Sequence, residues 1–266
     1  MRSRKLWLGL GVAGLAILLS PPHQSFVGHA QAAPSARVLA PIDVTGYWVA
    51  IVTPDWRQRM IPPAKGDYLA VPINMAAKQA ADAWDAAKDE AAGQQCKSYG
   101  APTIMSTPTR LRVSWQDDNT MKVETDYGMQ ERLFRFGASP PAKTPVTWQG
   151  TSVAQWELLR PNLAGSPGAG AGGRGRGGPV KFGNLKVSTT RVRPGYLRKN
   201  GVPYSADVKV DEYWDLFTDP AGTQRLMVTQ IIEDPQYLTR PWLVAYNFKR
   251  EPDASKWDPT ACSSRW

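Results

Sequence analysis

Alternating apolar and polar side chains recur along most of the chain and predict β-strands, because successive residues of a strand point to opposite faces. The first segment, 44–53, is apolar on both faces, as expected of a strand buried on both sides or lining a ligand cavity. Further alternating segments are 111–115, 121–127, 133–136, 148–157, 185–193, 207–218, 225–233 and 242–250. Eight or more strands joined by short turns predict an all-β antiparallel barrel or sandwich.

Two segments depart from the alternating pattern. Residues 75–92 are rich in alanine and predict one surface helix, with Asn74 as its N-cap and Gly93 as its stop. Residues 164–179 are glycine-rich and cannot bury apolar surface, so they predict a flexible loop or, alternatively, a domain boundary. Because strand-like segments flank this tract, we favour the loop and a single β-barrel domain over 33–266.

The N-terminus has the three parts of a secretory signal peptide. Three basic residues precede an apolar run at 6–19, and the A-x-A sequence Ala30-Gln31-Ala32 supplies a cleavage site. The run is shorter than the roughly 18 residues that span a bilayer; an uncleaved membrane anchor is the alternative. We therefore predict a signal peptide at 1–32, a periplasmic or secreted bacterial protein, and no transmembrane segment after cleavage.

Removal of this signal leaves a chain without histidine, because His23 and His29 both precede the cleavage site. This excludes Ser-His-Asp triads, Cys-His pairs and histidine-based metal sites. The mature chain has 29 Lys and Arg against 23 Asp and Glu, and these charges are scattered apart from Arg174 and Arg176. We expect no nucleic-acid partner, no metal, no cofactor and a monomeric protein.

Exactly two cysteines, Cys96 and Cys262, lie in the mature chain. In an oxidising compartment the pair predicts one disulfide that ties the first third of the chain to its end. A reactive thiol is the alternative, although no histidine is present to activate it.

Three stretches resemble a family of uncharacterised exported bacterial proteins with lipocalin-like, calycin-type β-barrel character: 148–157, 201–205 and 233–242. The surroundings of the two cysteines are similar to the family as well. The resemblance implies fold and compartment rather than an activity. It also implies that Thr151 and Tyr204 stand where relatives often carry histidine.

The triplet Gly46-Tyr47-Trp48 resembles the G-x-W of lipocalins. In a barrel, the glycine would permit close approach where the strands close and the tryptophan would plug the base. An ordinary aromatic core residue is the alternative interpretation of Trp48.

Ten tryptophans in the mature chain indicate either a ligand-stacking cavity or an aromatic core that fills a wide barrel. If the barrel holds a ligand, its predicted contacts are Trp48, Trp148, Trp156, Tyr204, Trp214 and Trp242.

Glu212 lies between Val210 and Trp214 on an apolar face at period two, so its carboxylate is predicted to face the interior. It is a candidate general acid or base, with Glu157 as a second candidate. The alternative is a buried ion pair, with Arg191 or Arg225 as the expected partner.

These observations favour periplasmic binding of a small apolar or amphipathic ligand in a barrel cavity. A cofactor-independent isomerase, lyase or hydrolase that uses carboxylates such as Glu212 is the first alternative, so enzymatic activity stays open. A structural or interaction module of the cell envelope is the second. The internal cavity distinguishes them: an apolar pocket favours binding, paired carboxylates favour catalysis, and a filled barrel favours the structural role.

Overall fold

A computed structural model describes residues 33–137, 145–158 and 183–265. The strands are β1 (Gly46–Ile51), β2 (Arg110–Asp117), β3 (Thr120–Thr125), β4 (Glu131–Phe136), β5 (Thr151–Leu158), β6 (Gly183–Thr190), β7 (Gly195–Tyr196), β8 (Pro203–Tyr204), β9 (Lys209–Thr218), β10 (Gln224–Glu233) and β11 (Trp242–Glu251). The α-helices are α1 (Ala36–Leu39), α2 (Trp56–Arg59), α3 (Met75–Ala83) and α4 (Ala86–Ala91). Short 3-10 helices lie at Thr53–Asp55, Gln95–Tyr99 and Ile104–Ser106. The predicted signal peptide and the predicted glycine-rich loop lie outside the described residues, so they stay predictions.

The strands close into a nine-stranded barrel in the order β1-β11-β10-β9-β6-β5-β4-β3-β2, which confirms the all-β barrel. β7 and β8 form a separate two-stranded sheet. All neighbouring barrel strands are antiparallel except β4 and β5, which run parallel. The antiparallel expectation is wrong for this pair. A parallel pairing requires the chain to return to the same end of the barrel, and the connection from Phe136 to Thr151 is long enough for that return.

Large side chains fill much of the barrel interior. The fully buried inward positions include Trp48, Leu111, Val123, Phe134, Val187, Trp214, Val228 and Phe248. A second apolar cluster covers one end of the barrel, where β9 and β11 begin and β10 ends. It joins Val210, Ile232 and Trp242 to Leu197 and Tyr204 of the β7–β8 hairpin. This end of the barrel therefore has a covering layer of its own.

The Gly46-Tyr47-Trp48 triplet lies where β1 pairs with β11, the last strand. Gly46 has a φ of +115°, and a Cβ on it would come within 2.8 Å of the Arg250 guanidinium. That guanidinium lies over the Trp48 ring, 5.1 Å from its centroid, while Trp48 Nε1 donates to the Val44 carbonyl at 2.9 Å. The positive φ favours glycine at position 46, and the end of the Arg250 side chain occupies the space that a Cβ would take.

The single helix predicted over 75–92 is wrong, because α3 ends before Trp84 and α4 begins after Asp85. Trp84 adopts an extended conformation, and Asp85 caps α4 by accepting from the Ala87 amide. Aspartate favours N-caps over helix interiors, which explains the break. The predicted cap at Asn74 is confirmed, since its side chain accepts from the Ala77 amide at 3.0 Å.

Cys96 and Cys262 form the predicted disulfide. It fixes the C-terminal tail beside the barrel, where the Ser263 amide donates to Tyr99 Oη at 3.2 Å. No helix among the described residues is long and apolar enough to cross a membrane.

Candidate functional site

A cavity of about 140 Å³ lies at the covered end of the barrel, over the inward face of β11. Trp242, Val244 and Tyr246 form its floor. The walls come from segments 58–63, 103–107 and 197–199. Its size is close to the roughly 150 Å³ cavity that holds benzene in an engineered protein core, so a molecule of about six to ten non-hydrogen atoms fits.

Arg59, at the end of α2, joins the walls of this cavity. Its guanidinium donates to the main-chain carbonyls of Ile51 and of all three residues 105–107, at 2.9 to 3.3 Å. It also lies 5.2 Å from the centroid of the Tyr246 ring. A planar group with five N–H donors can satisfy several carbonyls at once, so Arg59 fixes the covering segments to each other and to the floor.

A tight turn at 198–201 joins β7 to β8 and carries Lys199. Gly201 closes the turn with a φ of +85°, which a residue with a side chain rarely adopts. The Asn200 amide donates to two carbonyls of the 64–67 segment, at 3.2 and 2.7 Å. These hydrogen bonds anchor the turn to the 64–67 segment and restrict the position of Lys199.

Lys199 is 7% exposed although it lies in a turn. Its Nζ donates to Tyr99 Oη at 2.9 Å and to Tyr127 Oη at 3.3 Å, and it lies within 5 Å of both ring centroids. Burial disfavours the charged ammonium and lowers the pKa of Lys199 to about 7. Burial likewise raises the pKa of both tyrosines, so their hydroxyls stay neutral at physiological pH.

The cavity is amphipathic. Its described lining includes three cationic side chains, Arg59, Arg198 and Lys199, and no aspartate or glutamate. Aromatic and aliphatic groups make up much of the remainder, and the Arg198 guanidinium lies 5.7 Å from the centroid of the Trp242 ring. An apolar body and a polar group can therefore both find contacts here.

Glu212 faces the barrel interior and is completely buried. Its carboxylate accepts from both terminal nitrogens of Arg132 and, at 2.9 Å, from the Gln230 amide. Arg132 also donates to Thr189 Oγ1 at 3.2 Å. A carboxylate surrounded by these donors is a member of a buried polar cluster rather than a group that faces a cavity.

The expected partners of Glu212 were wrong. Arg132 enters the barrel from β4, whereas Arg225 pairs with Asp219 at the β9–β10 hairpin, 2.8 Å away. Period two along β4 places Arg132 on the same inward face as Phe134 and Phe136, and that alternation is the signal that would have identified it.

Glu157, the second catalytic candidate, lies on the outer face of β5. It alternates with the inward Trp156 and lies 3.7 Å from Lys186 Nζ. Glu157 and Glu212 thus point to opposite sides of the sheet, and the geometry of two facing carboxylates is not formed between them.

The six aromatic residues predicted as ligand contacts do not converge on one cavity. Trp242 lines the cavity described above, and Tyr204 lines a separate surface cleft. Trp48 and Trp214 are in the barrel core, where Trp214 packs edge-on against Phe134. The other two lie toward the barrel ends: Trp156 packs on Phe136, and Trp148 lies under Arg193.

Sequence patterns missed Arg59, Lys199 and the walls of the cavity. These residues lie in short helices and turns, where no periodicity reports which side chain is buried. The paired glycine and asparagine of the 198–201 turn predict a turn but not its burial.

Among the described residues, no group of Cys, Asp or Glu side chains is arranged to hold a metal ion. Comparisons with protein-family models, curated proteins and solved structures found no match to this chain. The site is therefore interpreted from its own geometry.

Proposed function

We propose that the protein binds a small amphipathic molecule non-covalently in the cavity over β11. The observation that carries the proposal is the lining: a floor of Trp242, Val244 and Tyr246 opposite cationic and hydroxyl-bearing walls. Ligand sites typically combine apolar surface with a few placed polar groups, and they occur at the mouths of β-barrels. The ligand is small, because the cavity is about 140 Å³.

The position of the cavity refines the expected mode of binding. The barrel interior is largely filled by buried side chains, so the ligand occupies the covered end rather than the barrel axis. The covering segments supply the polar groups, and β11 supplies the apolar surface.

We further propose that this binding takes place outside the cytoplasm, in the periplasm of the bacterium. The disulfide between Cys96 and Cys262 is the support, since such bonds persist in oxidising compartments. If the predicted signal is cleaved after Ala32, intact-mass measurement of protein recovered from the periplasm gives a chain that begins at Ala33. A chain that retains its N-terminus would indicate a membrane anchor instead.

A test of binding uses benzyl alcohol, a neutral amphipathic molecule of suitable size, followed by calorimetry and by ligand-detected NMR. We expect saturable binding with a Kd on the order of 1 mM, as suits so few atoms. Val244→Phe places a larger side chain on the floor of the cavity and is expected to weaken binding at least about tenfold.

Leu243→Phe is the matched control. Leu243 is the neighbouring residue of β11, is 65% exposed and lies on the opposite face of the strand. It should leave the affinity within about twofold of the unmodified protein. If both variants bind benzyl alcohol with equal affinity, or if none of the three proteins binds it saturably, the cavity is not the ligand site.

A further inference from the structure

A second cleft lies beside the β7–β8 hairpin, separate from the cavity over β11. Its volume is about 330 Å³, and it is lined by segments 194–196, 203–206 and 236–237 together with Lys97. Among the described residues, none lines both this cleft and the cavity over β11. The cleft is therefore considered as a site of its own.

The hydroxyl of Tyr204 is the feature of this cleft that indicates a ligand. Tyr204 is 1% exposed, and no described residue forms a hydrogen bond with its Oη. Buried polar groups in folded proteins are nearly always hydrogen-bonded, so an exception calls for an explanation. Burial raises the pKa of Tyr204, so the hydroxyl stays protonated and can donate to an oxygen of a ligand.

Two glycines locate this hydroxyl at the wall of the cleft. A Cβ on Gly195 would lie 2.6 Å from Tyr204 Oη and would also collide with the main-chain carbonyl of Lys97, and all three residues line the cleft. A Cβ on Gly100 would collide with the same hydroxyl from its other neighbour. The hydroxyl therefore lies against the part of the wall that carries no side chain.

The remainder of the lining favours a neutral ligand with an apolar face. Lys97 is the one charged side chain among the described lining residues, and its Nζ is paired with Asp89 at 2.7 Å. Asp89 also accepts from Tyr196 Oη at 2.8 Å, so the charge of Lys97 is balanced beside the cleft. Tyr196 and Tyr237 supply aromatic rings, and Gln236 supplies an exposed amide.

We propose that this cleft binds a neutral saccharide, and that Tyr204 Oη donates a hydrogen bond to an oxygen of the sugar. A pyranose ring presents C–H groups on its faces, which pack against tyrosine rings, and hydroxyls at its edges, which suit Tyr204 and Gln236. The binding is non-covalent. The site is additional to the cavity over β11, and it does not depend on the function proposed for that cavity.

The test compares three sugars that differ mainly in charge: methyl β-glucopyranoside, glucosamine and glucuronate. Ligand-detected NMR should show saturable binding of the neutral glucoside with a Kd on the order of 1–10 mM, as suits a single sugar ring. Glucosamine and glucuronate should bind no more tightly, because the lining offers neither an unpaired carboxylate nor an unpaired ammonium among the described residues.

Tyr204→Phe removes only the hydroxyl, and it should weaken binding of the glucoside about fivefold. Its urea midpoint should be unchanged or higher, because the variant lacks a buried polar atom that has no described partner. A structural hydroxyl would give the opposite pattern, with a lower midpoint and unchanged binding. The matched control is Tyr213→Phe, on the outer face of β9 beneath Lys186, which should leave the affinity within about twofold.

Ala206→Trp tests the cleft without a change to the buried tyrosine. Ala206 is an exposed lining residue, so the larger side chain occupies the cleft and should weaken binding of the glucoside at least about tenfold. Ala221→Trp, in the exposed turn between β9 and β10, is the control and should leave the affinity within about twofold.

The outcomes are independent of those for the cavity over β11. Saturable binding of the glucoside that is weakened in both Tyr204→Phe and Ala206→Trp, and that is retained in Val244→Phe, supports the proposal. No saturable binding of the glucoside, unchanged binding in either cleft variant, or at least tenfold tighter binding of a charged sugar overturns it. None of these results bears on the binding of benzyl alcohol.

Discussion

Replacement of Glu212 by glutamine distinguishes a structural from a catalytic role for this buried carboxylate. Glutamine has nearly the same shape as glutamate but carries no charge. The Arg132 guanidinium, whose side chain is 1% exposed, would therefore stay charged without a carboxylate partner. Thr189 remains as a neutral acceptor for one of its donors. The substitution therefore isolates the effect of charge inside the barrel.

The expected magnitude follows from the burial of both partners. Loss of one partner of a buried ion pair typically costs about 3–5 kcal/mol, because the other charge stays desolvated. In a domain of this size each kcal/mol lowers the Tm by roughly 2–4 °C, so the expected decrease is about 6–20 °C. Binding of benzyl alcohol should persist, since neither Glu212 nor Arg132 lines the cavity.

Urea unfolding of the oxidised protein, followed by tryptophan fluorescence, measures this loss. Glu157→Gln is the matched control: its side chain is 38% exposed and lies 3.7 Å from Lys186. Exposed ion pairs contribute little to stability, so the free energy of unfolding of the control should stay within about 0.5–1 kcal/mol of that of the unmodified protein.

The double variant Arg132→Met/Glu212→Met removes both buried charges together. Replacement of a buried pair by apolar side chains of similar volume is often neutral or stabilising, so the double variant should be more stable than Glu212→Gln. The structural interpretation fails if the free energy of unfolding of Glu212→Gln lies within about 0.5 kcal/mol of that of the unmodified protein and the variant no longer binds benzyl alcohol. That result would indicate that Glu212 participates directly in the site.

Three further predictions concern other features of the fold. Because the pKa of Lys199 is about 7 in the folded protein and near its ordinary value of 10.5 when unfolded, the unfolded state binds more protons between these values. The free energy of unfolding should therefore rise by up to about 1.4 kcal/mol per pH unit from pH 7.5 to 9.5, and Lys199→Met should remove this slope in urea titrations. Gly46→Ala should lower the free energy of unfolding by about 1–3 kcal/mol, since it combines an unfavourable φ with displacement of the Arg250 side chain. An unchanged free energy of unfolding would contradict this close approach. Reduction of the disulfide should lower stability by about 2–5 kcal/mol, and the Cys96→Ser/Cys262→Ser variant should match the reduced protein in its urea midpoint.

The alternating segments predicted each of the nine strands of the barrel, because burial on one face produces a period-two pattern in the sequence. β10 and β11 match the predicted segments 225–233 and 242–250 to within one residue at either end. The parallel pairing of β4 and β5 left no such record, since alternation shows which face is inward but not the direction of the neighbour.

The site was predicted less well than the fold for a related reason. Glu212 was recognised as inward-facing because it lies within a strand, where position dictates direction. Lys199 and Arg59 are buried by segments that come from distant parts of the chain, and a lysine in a polar turn ordinarily lies in solvent. Lys199 is buried instead because its side chain packs against Tyr99 and Tyr127.

The seam of the barrel joins β1 to β11, which are the first and the last strand among the described residues. During synthesis, the second neighbour of β1 exists only after β11, Trp242–Glu251, has been made, and until then one edge of β1 can pair with another chain. Closure of such a distant contact is entropically slow. The disulfide joins Cys96 to Cys262, a second pair that lies far apart in the sequence, with a separation of 166 residues. The order of events is thus built into the topology: hairpins can form early, whereas the ring is completed at the end.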